Sequence, residues 1–327
     1  TINEAGITLN GPNAGTPGDS SAREAEATIT GGVVVKASEV TIEGLRIRNP
    51  GEQGVANPEK SAGDVGVDIE PSNKEVSVLN NVITDIGTRD DDSNPIGVLA
   101  SDGTSGVTVE GNEISNLEGT DEDEGAAHAV QIIETGTKIT GVSVSDNTIT
   151  GLLDTRSTVA VRFNGGVSGE IKNNDISDLN TEGTIPDTDG APGGFTQVIA
   201  ISKGSNAESD PGNVAIKGNQ ISDIETTTQE NFFPPFHIIV GDDAAGNTIS
   251  ISSNVLNADS PDTYVYISGK TDSLDLKQIG AENTFSTDVT QFTSSGSSRL
   301  VPATGRVENV VQNTGFNSIQ SAVDATA

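Results

Sequence analysis

The chain of 327 residues is long enough for one elongated domain or two ordinary ones. Its 48 acidic residues face 17 basic ones, a formal net charge of −31. A chain of that sign lacks the basic footprint that a phosphate backbone needs and is repelled by anionic lipid, so nucleic-acid binding and attachment to an anionic membrane surface are excluded.

The chain opens with TINEAGITLNGPNAGTPGD, residues 1–19, without an initiator Met. It reads as a segment that begins inside a strand, as expected of a product that has been processed or excised. At 40–47 stands VTIEGLRI, the first copy of a pattern in which two alternating apolar residues are followed, after two positions, by Asn and then by another apolar residue. Leu45 occupies the Asn position in this copy. Full copies follow as VSVLNNVI (76–83), VTVEGNEI (107–114), VSVSDNTI (142–149), GEIKNNDI (169–176), VAIKGNQI (214–221) and ISISSNVL (249–256), with a degraded one, LDLKQIGA, at 274–281. The repeated residues are therefore Asn81, Asn112, Asn147, Asn174, Asn219 and Asn254, at intervals of 31, 35, 27, 45 and 35.

Each copy is preceded by a second strand-like run: VGVDIE (65–70), IGVLAS (96–101), AVQIIE (129–134), VAVRFN (159–164), VIAISK (198–203), HIIVGD (237–242) and YVYISG (264–269). Alternation of β-branched residues predicts strands, and Gly, Asn and Asp punctuate the turns between them. Before residue 314 no segment carries a sustained helical period. The last stretch, TGFNSIQSAVDATA (314–327), does: Phe316, Ile319 and Val323 recur at helical spacing, with Asn317 placed as an N-cap and Gln320 three residues on.

A repeat of strands with unequal intervals predicts an all-β fold, a parallel β-solenoid of about eight coils in which extra residues bulge outward as loops. Inward Val and Ile would then stack on their counterparts one coil away, and the repeated Asn would form a hydrogen-bonded ladder in a turn. Neighbouring coils must supply the stability, because one coil cannot bury its own apolar face. The composition fits a narrow interior: ten aromatics in all, and neither Trp nor Met. With no Cys there is neither a disulfide framework nor a thiol-based metal or redox site. No run of eighteen apolar residues and no N-x-S/T sequon occurs. Lysine is scarce, at nine residues, and carboxylates are spread through most loops, which points to adaptation to concentrated salt.

The V-x-V-x-x-N-x-I coils resemble right-handed parallel β-helix proteins, the superfamily that includes pectate lyases, NosD-like proteins and phage tailspikes. The resemblance covers roughly residues 1–290 and implies fold far more than activity. A second resemblance is to secreted surface modules of a haloarchaeal type, which open on an amphipathic helix similar to FNSIQSAVDA and continue with segments similar to TINEAGITLNGPNAG and EAEATITGGVVVKASEVTIEGLRI (24–47). Here the later pieces stand at the start of the chain and the first piece at its end. The expected organisation is a parallel β-helix over 1–300, then a linker and amphipathic segment over 301–327 that leaves the solenoid and caps or docks a neighbouring module.

The leading expectation is accordingly an extracellular structural module of a cell-surface or filamentous assembly. Its partners would be copies of itself or adjacent modules, and docking would use Phe316, Ile319 and Val323 together with the aromatic cluster Phe232, Phe233 and Phe236. The alternatives are a polysaccharide lyase or hydrolase and a glycan-binding spike. For a lyase the candidates are Arg162, which strand alternation turns outward, with Asp68, Gln131 and His237 as outward neighbours; such a site needs carboxylates for Ca²⁺ and a base to abstract a proton. The acid-rich loops GTRDDDSNP (87–95) and EGTDEDEGAA (118–127) are candidate Ca²⁺ loops but match no EF-hand, and no other cofactor is implied. His128 and His237, the two histidines, are expected in plain strand or surface positions, and the loop 179–197 is long enough to reach a partner or a glycan. The reading leans away from an enzyme.

Overall fold

The computed structural model describes residues 1–49, 64–87, 94–119, 126–155, 157–182, 195–203, 207–226, 236–241, 249–257, 265–268, 279, 282–285, 292–295, 307–309 and 314–316. Three sheets run along it, and every strand pair within them is parallel. Sheet I stacks Thr8–Asn10, Thr41–Glu43, Ser77–Leu79, Thr108–Glu110, Ile139–Ser145, Val167–Lys172, Val214–Lys217 and Ile249–Ser252. Sheet II stacks Thr28–Thr30, Arg46–Asn49, Val82–Ile86, Glu113–Gly119, Thr148–Asp154, Asp175–Thr181, Gln220–Ile221, Val255–Leu256 and Thr284–Phe285, with Ile224–Thr226 beside Asp175–Thr181. Sheet III stacks Val33–Val35, Val65–Ile69, Ile96–Ser101, Ala127–Ile133, Ser157–Asn164, Phe195–Ser202, Phe236–Val240, Val265–Ser268 and Phe292–Ser295. The chain visits sheets I, II and III in turn and then begins the next coil. The molecule is a right-handed parallel β-helix.

Register explains why the pattern has the period it has. In sheet I, Leu9, Ile42, Val78, Val109, Val144, Ile171, Ile216 and Ile251 lie over one another. In sheet II the column is Ile29, Ile47, Ile83, Ile114, Ile149, Ile176, Ile221 and Leu256. Sheet III contributes Val35, Ile69, Ala100, Ile132, Phe163, Ile201 and Val240. Beyond the first coil these side chains are completely or almost completely buried. Burying one Val or Ile is worth roughly 1.5–3 kcal/mol, and here each gains it only by resting on the coil before and after.

The turn between sheets I and II carries the asparagine ladder. The Asn147 amide nitrogen donates to Val109 O at 2.9 Å on one side and to Asn174 Oδ1 at 2.9 Å on the other. Its Oδ1 accepts from both Asn112 N and Asn112 Nδ2, each at 3.0 Å. The same four-bond pattern links Asn81, Asn112, Asn147, Asn174, Asn219 and Asn254. Two positions extend it. At the first coil Leu45 N donates to Asn81 Oδ1 at 3.1 Å, so the backbone alone closes that end. Beyond Asn254 the ladder continues to Asn283, whose Oδ1 accepts from Asn254 N and Nδ2. In the degraded copy at 274–281 Ile279 stands at the Asn position, and the ladder residue comes four residues later at Asn283, whose Nδ2 also donates to Ile279 O at 2.7 Å.

Two columns of left-handed backbone flank the ladder. Immediately before each ladder position stand Gly44, Asn80, Gly111, Asp146, Asn173, Gly218 and Ser253, and four residues after it stand Asp85, Asn116, Gly151, Asp178 and Asp223. All have φ between 52° and 69°. Gly, Asn and Asp tolerate that conformation best, which is why these positions hold almost nothing else.

The segment 11–26 does not coil. It runs along the outside of the ladder turn and crosses several rungs. Gly11 N donates to Glu43 O at 2.7 Å, Gly18 N to Gly111 O at 2.8 Å, and Thr148 Oγ1 to Asp19 Oδ2 at 2.9 Å. Arg23 fastens its far end, donating to Asn80 O at 2.7 Å and to Glu26 Oε1 at 2.6 Å. Near the other terminus Val307–Asn309 and Thr314–Phe316 pair antiparallel in a sheet of their own.

Candidate functional site

The three outer faces differ in character. Sheet I turns out Thr41, Ser77, Thr108, Ser143 and Glu170, a solvated polar row. Sheet III turns out Val34, Asp68, Leu99, Gln131, Arg162, Ala200 and Ile239, one residue from each successive rung. In that row only Asp68 and Arg162 are charged, and Asp68 has Glu70 and Lys36 nearby. Arg162 stands beside Gln131 on the preceding rung and Ala200 on the following one.

The surroundings of Arg162 are largely dry. Gln131 is buried, and His128, from the same strand, is 4 % exposed. His128 Nδ1 lies 2.8 Å from Ala126 O, so that nitrogen carries the hydrogen, and Nε2 faces Gln131 Nε2 at 3.5 Å as an acceptor. Burial, with Arg162 adding to it, pushes the His128 pKa down to about 3, so the ring is neutral near pH 7. Burial also lowers the Arg162 pKa from its ordinary value, and the guanidinium stays charged. Its Nε is buried with no hydrogen-bond partner, and among the described residues it forms no ion pair.

The residues expected around Arg162 do not all gather there. Gln131 does. Asp68 shares the outer column but lies three rungs away, about 14 Å at the spacing of paired strands. Its carboxyl pKa is raised, by burial first and Glu70 second, with Lys36 opposing. His237 occupies a different row: it falls in register with Val198, Ala160, Ala129 and Gly97. A Cβ built on Gly97 meets Ile114 of sheet II, so that row faces the interior, and His237 is correspondingly buried, with its pKa pushed down to about 4. An outward trio of Asp68, Arg162 and His237 is therefore not assembled. Strand alternation misplaced His237 because Phe236, His237 and Ile238 are all buried, so inward and outward positions do not alternate at the start of that strand. His128 was the neighbour it missed, and the spacing His128-x-x-Gln131 was the available signal.

Of the aromatic docking candidates, Phe236 is buried against the rung of Gln197 and presents no outward patch. Phe232, Phe233, Ile319 and Val323 lie outside the described residues. Phe316 ends a strand, opposite Val307. Among the described residues no three His, Asp or Glu side chains converge as metal ligands, and the acidic residues of 88–93 and 120–125 lie outside them.

The other candidate locus is the start of the solenoid. Thr8–Asn10 and Thr28–Thr30 are edge strands paired on one side, and Ile2 bridges Val35 from the same end. Ile2, Leu9 and Ile29 are only partly buried, and Ile7 is 40 % exposed, the most exposed large apolar residue among those described.

No protein-family model, curated protein or solved structure matches the chain.

Proposed function

We propose that the chain is a structural module of an extracellular surface or filamentous assembly, adapted to high salt and joined head-to-tail through its ends. The open first coil carries this reading. Among the described residues its edge strands pair on one side only, beside part-exposed Ile2, Ile7, Leu9 and Ile29, whereas one rung further on the columns are sealed. An edge of that kind templates another strand or takes a cap. Segment 316–327 of another copy is the occupant we assign to it. Phe316, Ile319 and Val323 recur there at helical spacing, and the segment resembles the opening cap of secreted modules of the pectate-lyase-like superfamily. A joint between unlike ends is heterologous, and where its rotation does not close a ring it propagates as a filament.

Sedimentation velocity across a concentration series in molar KCl tests the joint. The full chain should form species that grow with concentration, and both a chain ending at residue 313 and Leu9→Lys should stay monomeric. A full chain that sediments as one monomer at every concentration, or polymers that persist without 314–327, would overturn it.

A further inference from the structure

Arg162 is the anomaly of this molecule. Among the described residues the other three arginines have carboxylate neighbours: Arg23 with Glu26, and Arg46 and Arg48 with Asp85. In a chain with 48 acidic residues a carboxylate is easily supplied, yet among the described residues Arg162 has none; its Nε–H is buried without an acceptor, as are those of Arg46 and Arg48, but it alone of the three also lacks an ion-pair partner. The described residues beside it are neutral: Gln131 on one side, Ala200 on the other, and His128, whose ring burial keeps uncharged and whose Nδ1–H donates to Ala126 O. The chain enters the Arg162 strand through residues 155–156 alone, against 120–126 and 182–194 for the strands on either side.

We propose that Arg162 and Gln131 form an anion site on the outer face of sheet III that takes a small monocarboxylate from solvent. The guanidinium fork matches two carboxylate oxygens in one plane, and a half-dry setting strengthens the bond over its value in water. One cation, with no second positive group among the described ion pairs around it, suits a single negative charge better than a phosphate or sulfate dianion. The Gln131 amide lies one strand spacing away, within reach of a ligand oxygen. The site is independent of the assembly proposed above.

The probe is acetate, replacing chloride at constant ionic strength, read by the arginine Nε–H NMR signals of the full chain. One signal, identified by its loss in Arg162→Lys, should shift saturably with acetate. Gln131→Glu should place a carboxylate beside the guanidinium, leave the protein folded and weaken the acetate response at least tenfold. Three results would overturn the site: no saturable shift, an equal response to chloride or sulfate, or an undiminished response in Gln131→Glu. A response confined to polymeric acids would also count against it, since the ligand would then not be small.

Discussion

Each ladder asparagine from Asn112 to Asn254 uses all of its side-chain hydrogen-bonding capacity, whereas Asn81 Oδ1 accepts from Leu45 N alone, so the consequence of replacing one depends on where it sits. Asn147→Leu would strand Asn112 N and Val109 O in a dry turn, and buried groups left unmatched cost about 1–3 kcal/mol each. We expect a loss on the order of 3 kcal/mol, seen as lost hydrogen-exchange protection centred on the rungs of Asn112 and Asn174. Leu45→Asn adds a polar amide at an end where the backbone already closes the ladder, and it should change stability by well under that amount. Equal effects at the two sites would refute the ladder as the source of stability. The buried histidines give a pH dependence of known sign. The folded pKa of His128, about 3, lies below that of an unfolded histidine, so stability is full above roughly pH 6.5 and falls as the pH drops toward 3. Urea denaturation at pH 7 and pH 5 should differ by on the order of 2 kcal/mol for each of His128 and His237, and His128→Gln should remove its share.

The elements are short, so it is their connections that hold them in place. Asp102 Oδ1 accepts from the backbone N–H groups of Thr135, Gly136 and Thr137 at 3.0, 2.9 and 2.8 Å, tying one sheet III turn to the next. Desolvation raises its pKa, but those three donors outweigh it and leave the carboxyl below its usual range. The strap over the ladder turn depends on Gly18. A Cβ there would sit 2.2 Å from Glu113 N and 2.5 Å from Asn81 O, both backbone atoms that cannot move aside. Gly18→Ala should lift residues 16–20 away from the coils while leaving the coils intact. Limited proteolysis should then cut within the strap much faster than in the parent, with little change in the circular dichroism of the sheets. An unchanged cleavage rate would mean that the strap is held elsewhere, through Arg23. The repeat itself was readable from V-x-V-x-x-N-x-I, and the left-handed column before the ladder is written as Gly, Asn or Asp at every such position from 44 to 218, with Ser253 before Asn254. The late Asn283 was not, because its spacing follows a helical turn that interrupts the period.

At the scale of the whole molecule, a formal net charge of −31 means that like charges repel one another over distances that salt controls. The screening length falls from about 10 Å at 0.1 M to about 3 Å at 1 M. The melting temperature should therefore rise steeply with KCl and only slightly with an uncharged osmolyte at matched osmolarity; equal slopes would remove the electrostatic argument for salt adaptation. The amino-acid order alone determined the coil, because a stacked solenoid repeats one local environment and so writes the same residues at the same intervals. It also determined the inward columns and the ladder, for the same reason. Only the tertiary structure decided what each outward residue stands beside. Rungs are joined by connections of unequal length, so neighbours across the sheet are set by register: Arg162 next to Gln131 and Ala200, Asp68 three rungs off, His237 turned inside. It alone decided, too, which strands pair on one side only among the described residues, since pairing is a property of two strands and cannot be written in one.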